Sequence, residues 1–330
     1  MTCPQPRPFV FTIVLATFAS GPLAVSSAAE IVEVRKIWDQ APNQSFTDLI
    51  RFHEQWICCF RVGTSHGSDD GRIQFIRSSD GDRWTPIAGI DCPPPNRDLR
   101  DPKLSITPQG RLMLTSTAYQ PRPECRSYVW FSDDGKTWSE PHSIGPPGEW
   151  LWRTEWHKGI AYNFGRSEKP HKYLQLYRSS DGKVFQSHGP RQFDRIYVNE
   201  SAPVFQQDDT CVTLLRRDSE TNTAQIGISR PPYDHWTWKD LGVRIGGPEM
   251  IQLPDGRFLA TVRLYDGGEH TSLCWVDPEA ATLVEFLKLP SGGGDTSYAG
   301  MVWHEGLIWI SYYSAHEDKS SIYLAKVRIT

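Results

Sequence analysis

A tyrosine, several carboxylic acids and several arginines in the 330-residue sequence are placed where they could take part in acid–base chemistry. Tyr298 is a candidate nucleophile, and Glu200 is a candidate base for its proton. A phenol has a pKa of about 10, so it attacks poorly unless a neighbouring carboxylate removes its proton. Cleavage of a glycosidic bond also needs an acid at the leaving oxygen, and the further candidate catalytic carboxylates are Asp48, Asp70 and Asp101.

Arginines accompany these acids and suggest how a sugar would be held. Guanidinium groups form paired hydrogen bonds with carboxylates, and aromatic ring faces suit the apolar face of a pyranose. Arg216 and its neighbour Arg217 alternate across a predicted strand, so only one of them faces the site. The candidate substrate-binding residues are Arg61, Arg100, Arg153, Arg216, Arg263 and Trp152.

A repeated turn motif indicates which elements position these side chains. The pattern Ser-x-Asp-Gly-x-x-aromatic starts at Ser78, Ser132 and Ser179, each time after an apolar strand and roughly fifty residues after the last. The Asp bonds the backbone of its own turn and the Gly accepts a positive φ, as in a hairpin turn. One such turn arises easily by chance, but three at regular spacing indicate a repeat.

A longer strand–turn–strand unit recurs six times, starting near Leu49, Leu104, Trp156, Pro203, Met250 and Met301. A period near fifty residues with four strands per unit predicts an all-β, six-bladed β-propeller. The last unit runs out one strand early, while the segment 31–37 has no local partner. We therefore expect this N-terminal strand to complete the last blade and close the ring, which removes an open edge.

The innermost strand of each propeller blade begins at the mouth of the central channel, where ligands bind. The residues predicted there are charged or hydroxylated in every blade. They are Thr47 and Asp48, then Arg100, Asp101 and Lys103, then Arg153 and Glu155, then Asn199, Glu200 and Ser201, then Glu249, and finally Asp295, Ser297 and Tyr298. Crowded carboxylates beside arginines shift one another's pKa values apart, which acid–base catalysis requires.

Composition narrows the class of protein. The N-terminus has the pattern of a signal peptide over 1–29: a positive charge at Arg7, an apolar run over 9–19 and small residues at 27–29. We therefore expect one mature domain over 30–330 that is secreted or periplasmic and is free of the membrane after cleavage. A net charge of −4 without basic blocks argues against nucleic acid. No nucleotide-binding motif, paired C-x-x-C spacing or histidine cluster is present, so we expect no cofactor and no metal. We expect most of the cysteines to be small buried thiols, and the alternative is a disulfide bridge between Cys92 and Cys125. We expect the protein to be a monomer.

The sequence resembles the sialidase superfamily in three features together. These are the repeated Ser-x-Asp-Gly-x-x-aromatic turns, which are known as Asp boxes, the count of six blades and the predicted signal peptide. The resemblance implies a Tyr nucleophile at Tyr298 with Glu200 as its base, substrate-clamping arginines at Arg216 and Arg263, and an acid in the Asp69–Asp70 loop before the first Asp box. The first blade departs from the family, because the stretch 45–50 has no arginine at its head, and Asp48 would place negative charge there. Arg61 or Arg100 would have to compensate.

A second pattern points to other glycosidases. Asp48, the Arg-Asp-Pro at 100–102 and Glu200 look like the three carboxylates of five-bladed arabinanase- and invertase-like enzymes. The function we expect is a secreted, sialidase-like glycoside hydrolase that acts on terminal sugars of glycans or polysaccharides. The alternatives are a non-catalytic carbohydrate-binding propeller and, ranked lower, a polysaccharide lyase with a His or Tyr base. His66, in the loop 63–71, is a further candidate base near the channel.

Overall fold

The computed structural model describes residues 1, 29–93, 95–119 and 125–329, which form 24 strands in six antiparallel four-stranded sheets. Each sheet is one blade, so the predicted six-bladed β-propeller is confirmed. The predicted signal peptide falls almost entirely on residues 2–28, which lie outside the described residues. The described part of the chain contains no helix long and apolar enough to cross a bilayer.

The first three blades follow the chain from the innermost strand outward. Blade one comprises β2 (Asn43–Phe52), β3 (Gln55–Gly63), β4 (Arg72–Ser78) and β5 (Thr85–Ile90). Blade two comprises β6 (Asp98–Ile106), β7 (Leu112–Tyr119), β8 (Arg126–Ser132) and β9 (His142–Ile144). Blade three comprises β10 (Glu149–His157), β11 (Ile160–Ser167), β12 (Leu174–Ser179) and β13 (Gln186–Gln192).

The remaining blades complete the ring. Blade four comprises β14 (Val198–Phe205), β15 (Cys211–Arg217), β16 (Gln225–Ser229) and β17 (Thr237–Asp240), and blade five β18 (Gly246–Gln252), β19 (Phe258–Leu264), β20 (His270–Asp277) and β21 (Thr282–Lys288). Blade six takes β22 (Ser297–His304), β23 (Leu307–Ser314) and β24 (Ser321–Ile329) from the C-terminal end. Its outermost strand is β1 (Ala29–Trp38), which pairs antiparallel with β24. The N-terminal strand therefore closes the ring, as the sequence predicted.

The three repeated turns join blades as well as strands. In the first, Asp80 Oδ1 accepts the backbone N–H groups of Asp82 at 2.8 Å and Arg83 at 3.1 Å, and these bonds lower the pKa of Asp80 to about 2. Gly81 has a φ of +80°, and a Cβ there would lie 2.2 Å from the Trp309 ring of blade six. A glycine is therefore needed both for the turn and for the close approach of the neighbouring blade.

A β-bulge interrupts the start of the innermost strand in all six blades. In four blades the residue at the same bulge position has a positive φ: Phe46 at 55°, Asp101 at 52°, Gly247 at 51° and Tyr298 at 46°. A bulge re-aims side chains, and non-glycine residues tolerate this backbone region only where their surroundings hold them. The mouth of the channel is therefore lined by residues whose direction differs from simple strand alternation.

Apolar side chains fill the space between neighbouring blades. Ile57 and Phe75 of blade one pack with Leu104, Leu112 and Trp130 of blade two, and equivalent clusters join the other blades. The six cysteines in the described residues are free, five of them are buried, and Cys92 is half-buried. The alternative bridge between Cys92 and Cys125 is therefore absent, and the stability of the ring rests on packing between blades and on ring closure.

Candidate active site at the channel mouth

Three side chains from blades four and six meet at the channel mouth, and we call Tyr298, Glu200 and Arg216 the mouth cluster. The Tyr298 hydroxyl donates to Glu200 Oε1 at 2.7 Å. The Nη1 group of Arg216 donates to both oxygens of Glu200, at 3.1 and 3.2 Å, and to the Tyr298 hydroxyl at 3.1 Å. Glu200 is 2% exposed and Tyr298 is 7% exposed, so these polar contacts form in a largely desolvated place.

The protonation states of this cluster follow from its charges. Burial alone would raise the pKa of Glu200, but the cations of Arg216 and Arg166 and the hydrogen bond from Tyr298 outweigh it and lower that pKa. Burial, together with the Glu200 charge, raises the pKa of Tyr298 above its usual value. The resting state is thus an ionised carboxylate that accepts a hydrogen bond from a neutral phenol. This is the arrangement of a nucleophile waiting for its base to take the proton.

Asp101 supplies a second carboxyl group in a different protonation state. It is 5% exposed, and burial raises its pKa to about 7, an effect that the Arg100 cation offsets in part and the Glu200 charge strengthens. Its Oδ1 atom is buried without a hydrogen-bond partner among the described residues. Asp101 also contributes to the raised pKa of Tyr298, so it lies within electrostatic reach of the mouth cluster. Near neutral pH, this carboxyl group can hold a proton while Glu200 stays ionised.

Aromatic and glycine residues shape the space around Tyr298. Phe46 packs edge-on against the Tyr298 ring with the centroids 5.0 Å apart, and Trp152 lies 6.0 Å away. A Cβ at Gly247 would lie 2.6 Å from Tyr298 Cδ2, so only glycine leaves room for this ring at the equivalent position of blade five. Phe46 therefore occupies the head of blade one, where the resemblance would place an arginine.

Each arginine at the mouth is held by a residue two positions away in the chain. Arg100 Nε contacts Asp98 Oδ2 at 2.5 Å, Arg216 Nε contacts Asp218 Oδ1 at 3.0 Å, and Arg263 Nε contacts the Tyr265 hydroxyl at 3.0 Å. Arg263 also forms an ion pair with Asp295. The sequence analysis missed Asp98, Asp218 and Tyr265 as partners of these arginines. For Asp98 the signal was present, because residues at i and i+2 of a strand share a face, whereas Asp218 and Tyr265 lie just beyond the ends of β15 and β19.

Asp48 and Arg153 lie in a separate group, which we call the channel cluster and which comprises Asp48, Arg153 and Glu249. Arg153 Nη2 donates to Asp48 Oδ1 at 3.1 Å and to Glu249, and the backbone N–H of Leu104 donates to Asp48 Oδ2 at 2.6 Å. The bulge at Phe46 shifts the alternation of β2, so Phe46 rather than Asp48 packs against Tyr298. Asp48 therefore does not place an uncompensated charge at the mouth, and it is not part of the candidate catalytic group.

Three other predicted residues are held away from the mouth cluster. Asp70 is exposed, and hydrogen bonds from Ser68 and Thr64 lower its pKa, which suits a loop-stabilising carboxylate and not a proton donor. Arg61 has 0% exposure and is paired with Asp98 at 2.5 Å, so it cannot reach a ligand without rearrangement. His66 lies at the rim, 3.3 Å from Asp295, and burial with the Arg100 and Arg61 charges lowers its pKa to about 4.

Among the described residues, no group of three or more His, Cys, Asp or Glu side chains is arranged to hold a metal ion. The side chains at the mouth supply an ionised carboxylate, a neutral phenol, a carboxyl group with a pKa near 7 and paired guanidinium groups. This set can remove a proton from a nucleophile and donate a proton to a leaving oxygen.

Comparisons with known proteins give matches of structure alone. No family model and no curated protein matches the chain. A protein of unknown function from Dyadobacter fermentans DSM 18053 is 20% identical, with 92% of this chain and 99% of that chain covered and a TM-score of 0.80. A mutant of the α-L-arabinofuranosidase Arb93A from Fusarium graminearum, bound to an iminosugar inhibitor, is 12% identical, with 92% and 98% covered and a TM-score of 0.71.

Sialidases also share this architecture. The Trypanosoma rangeli sialidase in complex with the inhibitor DANA is 11% identical, with 92% of this chain covered and a TM-score of 0.69. The present chain spans 60% of that sialidase chain. The structural neighbours thus include sialidases, an α-L-arabinanase and an α-L-arabinofuranosidase, and at these identities the likeness establishes the propeller fold.

Proposed function

We propose that this protein is a glycoside hydrolase that cleaves a terminal sugar at the channel mouth, with Tyr298 as nucleophile. The observation that carries the proposal is the hydrogen-bonded pair of a neutral Tyr298 and an ionised Glu200, with Asp101 nearby at a pKa of about 7. Two acid–base groups with pKa values pushed apart are what glycoside cleavage needs. The Tyr–Glu pair is sialidase-like in character.

In the proposed first step, Glu200 takes the phenolic proton as the Tyr298 oxygen bonds to the anomeric carbon. The glycosidic C–O bond breaks, and the protonated Asp101 carboxyl group gives its proton to the leaving oxygen. In the second step, Asp101 accepts a proton from water, whose oxygen attacks the anomeric carbon. The Tyr298–sugar bond breaks, and the phenolate recovers its proton from Glu200. Two displacements at one carbon retain its configuration.

The charges around the mouth favour a terminal sugar without an acidic group at the reacting end. Arg100, Arg216 and Arg263 each have a carboxylate partner, and Phe46 occupies the head of blade one. A guanidinium group that is already paired with a carboxylate offers little net attraction to another anion. The arabinofuranosidase among the structural neighbours supports a neutral substrate of this kind.

We also propose that the protein is exported and that cleavage after Ala29 releases the mature chain. The support is the predicted signal peptide over 1–29, with its apolar run and small residues before Glu30. Expression of the full chain in a bacterial host, followed by N-terminal sequencing of the periplasmic or secreted protein, tests this. Recovery of the uncleaved chain from the cytoplasm alone would contradict export.

A panel of 4-methylumbelliferyl glycosides tests the hydrolase proposal. The panel contains glycosides of neutral sugars, including α-L-arabinofuranoside, and one acidic member, the glycoside of N-acetylneuraminic acid. We expect release from a neutral glycoside and little or none from the acidic one. A 2-deoxy-2-fluoro glycosyl fluoride of the active sugar should then add its mass to the peptide that contains Tyr298. Sugar binding without release from any glycoside would instead identify a carbohydrate-binding propeller and end the proposal.

A further inference from the structure

A groove between blades two and three lies apart from the channel mouth. Its volume is about 550 Å³, and it is lined by β9 and the residues after it, by Glu149 at the start of β10, and by residues in and around β12 and β13. The outermost strand of blade two, β9, has three residues, whereas its neighbour β13 has seven. The short edge strand leaves the side of blade three uncovered, and this opens the groove.

A buried carboxylate forms the floor of this groove. Glu149 is 2% exposed, and its Oε1 accepts a hydrogen bond from the Tyr173 hydroxyl at 2.5 Å, while its Oε2 accepts one from Tyr177. Burial, together with the Glu149 charge, raises the pKa of Tyr173 to about 12 and raises that of Tyr177 as well, so both phenols stay protonated. Each oxygen of a carboxylate can accept about two hydrogen bonds, so both keep capacity for hydroxyl groups of a ligand.

Two cations flank this floor. Lys183 and Arg191 line the groove and are exposed, and neither forms an ion pair with another described residue. The Arg191 guanidinium lies 3.9 Å from the centre of the Tyr173 ring, and the Phe185 ring lines the same groove. In contrast to the mouth, where every arginine has an acidic partner in an ion pair, this groove combines hydrogen-bond acceptors and aromatic rings with two cations for its one carboxylate, Glu149, and thus a net positive charge.

We propose that this groove is a second, non-catalytic binding site that takes an acidic oligosaccharide. Hydroxyl groups of the sugar bind at the exposed edges of Glu149 and the two phenols, and an apolar sugar face contacts the edge of Phe185, which is 9% exposed. A carboxylate or sulfate substituent pairs with Arg191 and Lys183. A groove of this volume holds a few sugar rings, in the usual range of ligand sites. The site is independent of the proposed hydrolase reaction, since it shares no residue with the mouth cluster.

The test uses the full chain with Glu200→Gln and Tyr298→Phe, so that no probe is consumed or bound productively at the mouth. Calorimetry measures the binding of three probes: tetragalacturonate, a chondroitin sulfate tetrasaccharide and neutral maltotetraose. We expect at least one of the acidic probes to bind and maltotetraose to bind at least tenfold more weakly. Tetragalacturonate carries carboxylates alone, so tight binding of this probe shows that the site needs no sulfate. Absence of binding by both acidic probes would overturn the proposal, as would equal binding of the neutral probe.

Two variants then locate the bound probe. Ser187→Trp fills the groove from an exposed position, and Arg191→Ala removes one cation without disturbing a buried pair. Both should weaken binding at least tenfold, whereas Thr237→Trp, an exposed position on β17 of blade four, should not change it. Binding that survives Ser187→Trp would show that the probe sits elsewhere. In the otherwise wild-type chain, Ser187→Trp should leave hydrolysis of a small glycoside unchanged, which separates this site from the mouth.

Discussion

The mouth cluster and the channel cluster contain the same ingredients, an arginine between carboxylates, yet they differ in their protonation. At the mouth, two arginines and a phenol act on Glu200, and its pKa is lowered although it is buried. In the channel, Glu249 shares Arg153 with Asp48, and burial raises its pKa to about 7. Burial is similar in both, and two cations lie near each carboxylate. The difference therefore comes from the hydrogen bond that Tyr298 donates to Glu200 and from the charges of Asp48 and Glu155, which raise the pKa of Glu249.

The two clusters also differ in the role that their contacts support: the mouth cluster suits catalysis, and the channel cluster suits structural stability. The mouth cluster adds a hydroxyl group whose proton can leave, at a position where the strand has been bent by a bulge. The channel cluster joins blades one, three and five, and Lys103 of blade two adds bonds to the backbone oxygens of Thr47 and Ala299. We infer that substitutions at the mouth change activity, whereas substitutions in the channel change stability.

The largest expected effect is the loss of activity in Tyr298→Phe. Removal of the nucleophilic oxygen should lower kcat on the best glycoside by on the order of 10³-fold or more, and Glu200→Gln should have a similar effect because the base is lost. Thermal unfolding should change little in Tyr298→Phe, since the ring remains in its place beside Phe46. Normal turnover in either variant would remove the mouth cluster from the mechanism.

Asp101→Asn tests the second carboxyl group of the mouth. Loss of a general acid should slow cleavage of a glycoside with a poor leaving group by about 10²–10⁴-fold. A nitrophenyl leaving group needs little protonation, so its cleavage should be much less affected. In the wild-type protein, kcat/KM should fall as the pH rises through about 7, where Asp101 loses its proton. An equal loss on both kinds of substrate would argue that Asp101 has a structural role.

Arg153→Ala should give the largest loss of stability. It leaves the buried Asp48 and Glu249 without their shared cation, and removal of one member of a buried ion pair costs about 3–5 kcal/mol. Denaturant unfolding measures this. The matched control is Arg111→Ala, which breaks an exposed pair with Asp133 and should cost less than about 1 kcal/mol. Similar costs for the two variants would contradict our distinction between the clusters.

The raised pKa of Glu249 leads to a prediction of how the free energy of unfolding depends on pH. Its pKa rises from 4.5 to about 7 on folding, so the native state binds the proton more tightly than the unfolded chain does. The stabilisation that the native state gains from this tighter proton binding at Glu249 is fully present below about pH 4.5, and it is lost as the pH rises through about 7. Asp101 has the same sign, whereas Glu200, with its lowered pKa, acts in the opposite direction at more acidic pH.

We therefore expect the free energy of unfolding to fall between pH 5 and pH 8. The groups that face Glu249 are Arg153, Asp48, Lys103 and Glu155, and all of them stay in place in Glu249→Gln. That variant should show a shallower fall over the same range, measured by denaturant unfolding at each pH. A slope equal to that of the wild-type protein would show that Glu249 does not carry this dependence.

The sequence predicted the ring and the main partners at the mouth for physical reasons. Ser78, Ser132 and Ser179 start turns whose hydrogen bonds are local, so their pattern can be read without the rest of the fold. Tyr298 and Glu200 were found because both stand at the head of an innermost strand. The bulges could not be predicted, because they depend on contacts between blades. A shift of one residue turns a side chain to the other face, and this moved Asp48 away from the mouth.

The smallest expected effect is that of a substitution at Asp70, which tests whether Asp70 or Asp101 is the general acid. The resemblance placed a catalytic acid in its loop, but its carboxylate accepts hydrogen bonds from the backbone and the hydroxyl of Thr64, at 3.1 Å each, and its pKa is lowered. A group that is already ionised near neutral pH has no proton to give. Asp70→Asn should therefore keep activity within about twofold, with the fall above pH 7 unchanged, because Asp101 still supplies the proton. A loss comparable to that in Asp101→Asn would mean that the loop 63–71 moves to bring Asp70 to the substrate, and the acid would have to be reassigned.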